Sequence, residues 1–528
     1  MNPSSPRRGL PGRQAAVLVC GAALYALLFA LGSQIEQNGS VSAGRTALRF
    51  ACALPVALAA LLVLLGRVLP ACRFRPEADA RPFRTGAAFL LLFACYVPMF
   101  LIQYPGSFGY DVLQQALQAA HDAYSTFHPL LHTLLLRFCV ALYPLLDSFE
   151  RCMAACSLIQ MLLVAWCFAM LCASLSRSCS RRAARIALVF FALYPSHMAF
   201  ASAYTKDVLF AAFFALFAAL CLEQARLGRL DAPHAFVMLL CGVLSCLLRN
   251  NMIYAVAAWC VLLLPFCRRL PRLAVCAALV LVLSLGAQAA LVRLTHAEKG
   301  PVREMLSVPA QQLARVRVYA GDQLSDAERA QMDALFDERI DYARYDPTLA
   351  DPIKDRIRSA AVLGDLPGAA RLWLSLGMRF PGLYLDAFLN LALPSLYPYS
   401  HYAVTSPYIE VGDCVEGLTK AWALPRIVQP RRFAGVRQWL NECLFLTGAD
   451  DIPLVRWLFN IGLVFWLLLL AALDALYTGD GRRFAVLLLP LLLWGTLLLG
   501  PVMQGRYAYP FFCLLPLLLL RPRGDSPV

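Results

Sequence analysis

Apolar runs long enough to cross a bilayer recur along the whole chain, separated by short polar stops, and this alternation is the dominant pattern. About twenty apolar residues in helical conformation are needed to span a hydrocarbon core. That criterion places spans at about 15–32, 48–69, 86–103, 152–175, 186–202, 208–223, 234–248, 252–266, 273–294, 453–474, 484–501 and 507–520, twelve in all. The apolar stretch 129–146 carries His132 and Arg137, which suits an interfacial or re-entrant helix as well as a crossing, and the choice stays open. The expected fold is an all-α polytopic integral membrane protein with about 12 transmembrane helices.

The arginines set the expected orientation. They cluster at 73–84, 177–185, 226–229, 268–272, 482–483 and 521–523, and the positive-inside rule puts all of these, with both termini, in the cytoplasm. Three polar stops, 104–128, 204–207 and 249–251, then face outward, as does the long segment 295–451. That segment has mixed charge, turn signals at Tyr345-Asp346-Pro347 and Gly364-Asp365-Leu366-Pro367, and a helix-like stretch at 326–339. The chain thus divides into a membrane domain of nine spans at 1–294, a mainly helical external domain at 295–451, and three further spans with a cytoplasmic tail at 452–528.

Composition sharpens the picture. Of 528 residues 60% are hydrophobic and only 15% charged, far from a soluble domain. The formal net charge of +14 lies in loop clusters, which argues for membrane topology and against nucleic acid as a partner. Arg7, Arg8 and Arg13 precede the first apolar run as in a retained signal anchor. Most of the 19 cysteines, including Cys139, Cys167, Cys221, Cys246 and Cys276, sit inside apolar runs as small hydrophobes. Cys414 and Cys443 lie in the polar segment, and whether they pair depends on the compartment it faces.

Polar groups at the edges of apolar helices are costly to keep there, which makes them candidates for chemistry. The first group is Tyr104-Pro105-Gly106-Ser107-Phe108-Gly109-Tyr110-Asp111, followed by Gln114, Gln115 and Gln118 at helical spacing and then His128-Pro129. Asp111 there is either a helix cap or a carboxylate able to take a proton or to hold a divalent cation; no other cofactor is assigned, and no other residue is a metal candidate. Lys206-Asp207 is a second group, read as a functional pair or as a snorkelling lysine beside an N-cap. Arg249-Asn250-Asn251 is a third, an anion site or a plain hairpin turn. Arg506-Tyr507 between the last two spans offers another anion site, and Gln311, Gln312 and Arg315 form either a site or a solvated helix face.

Together, the Tyr-Pro-Gly-x4-Asp string with its glutamines, the His-Pro, the Lys-Asp pair, the Arg-Asn-Asn turn and the Pro-x-Gln-Gln-x-Ala-Arg segment resemble an uncharacterised family of bacterial multispanning proteins similar to the GT-C glycosyltransferases. The resemblance covers scattered motifs over about residues 86–510. It implies a GT-C-like fold in a bacterial cytoplasmic membrane and transfer of a sugar from a polyprenyl-phosphate carrier to an envelope glycan or lipid acceptor on the outer face. Asp111 matches the first-loop aspartate of those enzymes and Asp207 a second acidic residue, so both are catalytic candidates. Tyr104, Gln114, Gln115, His128, Lys206, Arg249, Asn250, Gln311, Gln312, Arg315, Arg506 and Tyr507 become candidates for substrate binding. The Asp-Glu or Asp-x-Asp pair of better-known branches is replaced here by Tyr110-Asp111 and Lys206-Asp207. A transporter or flippase of a lipid-linked or anionic envelope precursor is the alternative, and a non-catalytic assembly factor a third reading.

Overall fold

The computed structural model describes residues 12–74, 82–108, 110–400, 420, 423, 430–440 and 455–522. Cys414 and Cys443 fall outside the described residues. In chain order the principal elements are α1 (Gly12–Asn38), α2 (Ala43–Val63), α3 (Thr85–Gln103), β1 (Ser107–Phe108), α4 (Tyr110–Ala120), α5 (Leu130–Ala141), α6 (Phe149–Ser178), α7 (Arg181–Leu193), α8 (Pro195–Ala201), β2 (Ala203–Tyr204), α9 (Lys206–Leu227), α10 (Ala232–Leu248), α11 (Asn250–Leu262) and α12 (Pro271–Thr295). They are followed by α13 (Ser307–Tyr319), α14 (Asp326–Leu335), α15 (Leu366–Arg379), α16 (Pro381–Leu396), α17 (Ile461–Thr478), α18 (Gly481–Leu497) and α19 (Gly505–Leu519).

Polar punctuation sets where the apolar helices begin and end. Ser180, Thr205, Asp231, Asn460 and Asp480 cap α7, α9, α10, α17 and α18 by accepting a backbone N–H of the first turn. Gly228 and Gly479, both at φ +76°, close α9 and α17 in the left-handed conformation that costs glycine least.

Among the described residues seven helices are long and apolar enough to cross a membrane, or up to eight when α7 and α8 are taken as one bent span. Four more apolar stretches are shorter: Leu130–Leu146, Ala232–Leu248, Asn250–Leu262 and Gly505–Leu519. Their exposure sorts them. α9 is the central post, with 94% of its apolar window buried against α6, α10 and α19. The continuous helix Ala43–Ala71 has only 11% of its window buried, and α12 only 22%, leaving Val56 69% and Val282 64% exposed. So large an unpaired apolar surface is stable against lipid tails and not against water. The protein is therefore a helical, polytopic membrane protein.

One expected span is altered, and the stretch left open by the sequence takes a definite form. The span expected at 186–202 is broken into α7 and α8 with a 61° bend, because Tyr194 precedes Pro195 and takes an extended conformation at φ −69°, ψ 123°. The stretch after His128 forms the 12-residue α5 and, past a turn at Leu142, a further helical turn at Tyr143–Leu146, about 25 Å in all against the roughly 30 Å of a hydrocarbon core. His132 and Arg137 both turn toward α4: His132 Nδ1 lies 2.9 Å from Gln115 Oε1, and Arg137 pairs with Asp122 at 2.9 Å.

The segment after α12 is helical and has its own core, in which Leu313, Val316, Met332, Leu372 and Leu376 meet Tyr384. It is tied to the loop after α1 by Arg315 Nη2 on Gly39 O at 2.7 Å, Asn390 Nδ2 on the same oxygen at 3.0 Å, and Val41 N on Asp386 Oδ1 at 2.9 Å. Helix α16 packs on α1 and α17.

Candidate functional site

The site is assembled by a stitch between two loops. Gly106, at φ +125°, turns the chain after α3; an added Cβ would stand 2.0 Å from Ser157 Oγ and 3.0 Å from Ser202 O, so the position requires glycine. The turn sets β1 parallel to β2, with Ser107 opposite Ala203 and Phe108 opposite Tyr204. Gln160, fully buried in α6, fastens the second loop: its Nε2 contacts Phe200 O at 3.2 Å, Ala201 O at 3.1 Å and Ala203 O at 2.7 Å, and its Oε1 accepts from Thr205 N. The start of α4 is thereby held beside the start of α9.

Asp111 and Lys206 meet as a result. Lys206 Nζ lies 3.0 Å from Asp111 Oδ2, and Arg506 Nη1, from the start of α19, lies 3.1 Å from the same oxygen. Burial works to raise the Asp111 pKa, but the Lys206 ammonium and then the Arg506 guanidinium outweigh it and hold the carboxyl well below the usual range. Lys206 also reaches His128 Nδ1 at 3.2 Å, while His128 Nε2 lies 2.8 Å from Gln114 Oε1. An ammonium can only donate, so Nδ1 accepts and the proton of the neutral ring sits on Nε2, donated to Gln114. Burial, then the Lys206 charge, push the His128 pKa down to about 3. His128 is therefore neutral at physiological pH and positions Lys206.

A second ion pair stands alongside. Asp207 accepts from Arg249 Nη1 through Oδ1, with side-chain exposures of 1% and 11%, and its other oxygen is buried without a hydrogen-bond partner. The Arg249 guanidinium lies 5.5 Å from the ring centre of Phe210 and 5.1 Å from that of Tyr507. Arg506 lies 4.9 Å from the Tyr507 ring and donates to the Tyr507 hydroxyl at 3.0 Å and to Gln504 Oε1 at 2.9 Å. Tyr507 thus links the two pairs. Asn250 Nδ2 donates to Thr126 O at 3.1 Å, which fixes the start of α11 against the loop carrying His128. A cleft beside His128 and Asn250 is lined also by Leu130, Cys246, Leu247, Gln288 and Leu291, and so runs toward the exposed helix α12.

Asp111, Gln114, His128, Lys206, Asp207, Arg249, Asn250, Arg506 and Tyr507 are thus gathered at one end of the helix bundle. Gln115 is next to them but faces α5, donating to Thr133 Oγ1 at 3.0 Å. Tyr104 packs edge-on against Phe100 at 5.8 Å and has no hydrogen bond to the cluster. Gln311, Gln312 and Arg315 are not a solvated face: all three are buried, Gln311 on Asp346 O and Leu349 O, Gln312 between Tyr384 O and Trp373, and Arg315 on Gly39 O and Asp386. They join helices and loops to one another. Gln160 was missed by the sequence reading, although a lone glutamine within an apolar span is itself a signal. Among the described residues no three His, Cys, Asp or Glu side chains converge as metal ligands, and a cation at Asp111 or Asp207 would have to compete with Lys206, Arg506 or Arg249.

The fold and site define a polytopic helical membrane protein with a cluster of paired charges where its apolar helices begin. The chain belongs to DUF6020, a family of unknown function, whose pattern matches residues 120–526. His128, Lys206, Asp207, Arg249, Asn250, Arg506 and Tyr507 lie inside that match; Asp111 and Gln114 precede it. Neither the curated proteins nor the solved structures yield a match.

Proposed function

We propose that the protein is a membrane glycosyltransferase of GT-C-like architecture that moves a sugar from a polyprenyl-phosphate carrier to an envelope glycan or lipid acceptor on the outer face of a bacterial cytoplasmic membrane. In this reading the chain crosses twelve times with both termini cytoplasmic, and the Asp111 cluster faces outward. The observation that carries the proposal is the meeting of Lys206 and Arg506 on Asp111, with the Arg249–Asp207 pair joined to them through Tyr507, next to a small part-apolar cleft lined by His128, Asn250 and residues of α12. An anionic headgroup on an apolar tail fits that combination of cations and flank.

Chemically, the phosphate leaving group is stabilised by guanidinium and ammonium donors, and Asp111 accepts the proton of the attacking hydroxyl as the new glycosidic bond forms and the bond to phosphate breaks. A carboxylate gripped by two cations is a weak base. Donor binding relieves this: as the phosphate draws Lys206 and Arg506 to itself, Asp111 loses their field and its proton affinity rises. Base strength is thereby coupled to the presence of the donor.

In α9, charge placement gives the transporter alternative no support. From Val208 to Leu222 the buried centre of α9 carries no Asp, Glu, Lys, Arg or His, whereas transporters place such groups near the midplane. The test is release of polyprenyl phosphate from a panel of labelled polyprenyl-phosphate sugars in proteoliposomes containing an envelope-lipid extract as acceptor. Release by the wild type and loss of at least about a hundredfold in Asp111→Asn are expected. Undiminished release in that variant would rule out Asp111 as the base.

A further inference from the structure

A second charged cluster lies at the opposite end of α19 from Arg506. Asp474, in the last part of α17, has a fully buried carboxylate that faces three guanidiniums. Arg483 at the start of α18 reaches Oδ2 at 2.9 Å, Arg521 just beyond α19 reaches the same oxygen, and Arg73 beyond α2 lies 3.9 Å from Oδ1. The backbone reinforces the meeting, since Phe74 N donates to Arg521 O at 2.7 Å and Arg483 Nη2 to Leu518 O at 3.0 Å. Asp480, the next carboxylate along the chain, is exposed and accepts from Arg483 N at 2.9 Å as the cap of α18. Arg13 adds further positive charge, its guanidinium lying over Gly479 at the end of α17.

Among the described residues positive charge therefore exceeds negative in a largely buried place, and Arg521 Nη2 is buried there without a hydrogen-bond partner. Buried charges are stable when paired, and a guanidinium nitrogen removed from water without an acceptor is costly. One bound anion would answer both deficits. We propose that Arg73, Arg483 and Arg521 form a binding site for a phosphate group presented by an acidic membrane lipid.

Two features favour a lipid over a soluble phosphate. The cluster sits at the ends of apolar helices, the depth of lipid headgroups. The continuous helix Ala43–Ala71, which leads directly to Arg73, is the least buried of the long apolar helices, so lipid lies along the path to the site, and Arg73 is the most exposed of the three arginines at 23%. The guanidinium fork matches phosphate oxygens two at a time. The site is independent of the glycosyltransferase reading.

The experiment uses the full chain in nanodiscs of phosphatidylcholine, with or without phosphatidylglycerol, and reads the apparent melting temperature. Phosphatidylglycerol is expected to raise it by about 2–4 °C or more in wild type. The gain should disappear in Arg73→Gln, chosen because this side chain is the least buried of the three, and persist in Arg344→Gln at an exposed position elsewhere. Inorganic phosphate in phosphatidylcholine discs separates the sources: no shift supports the lipid, and an equal shift overturns it in favour of a soluble anion. An identical melting temperature in both lipid mixtures, or an undiminished gain in Arg73→Gln, would overturn the site itself; the wild-type comparison stands even if a variant fails to fold.

Discussion

Removing Arg249 alone strands a carboxylate in the bundle. Asp207 is 1% exposed, accepts from Arg249 through one oxygen and has no hydrogen-bond partner on the other. Deleting one partner of a buried pair costs about 3–5 kcal/mol, because the remaining charge stays buried and uncompensated, while replacing both partners with neutral groups is often close to neutral. The Arg249 contacts to the Phe210 and Tyr507 rings contribute separately, on the order of 0.5–2 kcal/mol. Arg249→Met is thus expected to destabilise by about 4 kcal/mol, and Asp207→Asn with Arg249→Met by about 1–2 kcal/mol. Reversible unfolding in mixed micelles, followed by tryptophan fluorescence in a double-mutant cycle, measures the difference. A coupling of at least ~2 kcal/mol is predicted. Additive losses in the double variant would refute the argument and leave ring packing as the main role of Arg249.

Other consequences are equally concrete. His128 has an ordinary pKa near 6.5 when unfolded and about 3 when folded, so between those values the unfolded chain binds a proton that the folded chain refuses. His128 should therefore contribute a fall of about 1.4 kcal/mol per pH unit below 6.5, alongside a similar share from buried His132, and His128→Gln should lessen the total slope between pH 6 and 5 by about that amount, above the range in which Asp111 contributes. If the slope is unchanged in the variant, another group titrates there. Gly106→Ala should lower the melting temperature and weaken the β1–β2 stitch, and Ser157→Ala should not restore it fully because the positive φ remains strained. Full recovery in the double variant would show that the Ser157 contact alone matters.

The edges of the apolar helices were legible because hydrophobic length and polar stops are local properties. So were Lys206, Asp207, Arg249 and Arg506 as unusual charges at helix ends. Their pairing was not legible: Asp111 and Lys206 meet because Gly106 and Gln160 fix two loops side by side, and Arg506, 395 residues from Asp111 in the chain, joins them because α19 packs on α9. The sequence also suggested that the arginines await external anions, whereas Arg249 and Arg506 already face Asp207 and Asp111. Gln311, Gln312 and Arg315 look like a solvated face because polar side chains at helical spacing do not reveal which backbone carbonyls will meet them. The break at Tyr194-Pro195 was visible as a proline, but the apolar run on both sides masked it.

The cations around Asp111 are proposed to receive a polyprenyl phosphate. Native mass spectrometry of the gently solubilised protein tests it most directly, comparing wild type with an Arg249→Ala, Arg506→Ala variant after addition of polyprenyl phosphate. A lipid adduct is expected in wild type, lost or weakened at least tenfold in a folded variant. Absence of any adduct in wild type at saturating lipid, or equal binding in the variant, would contradict it.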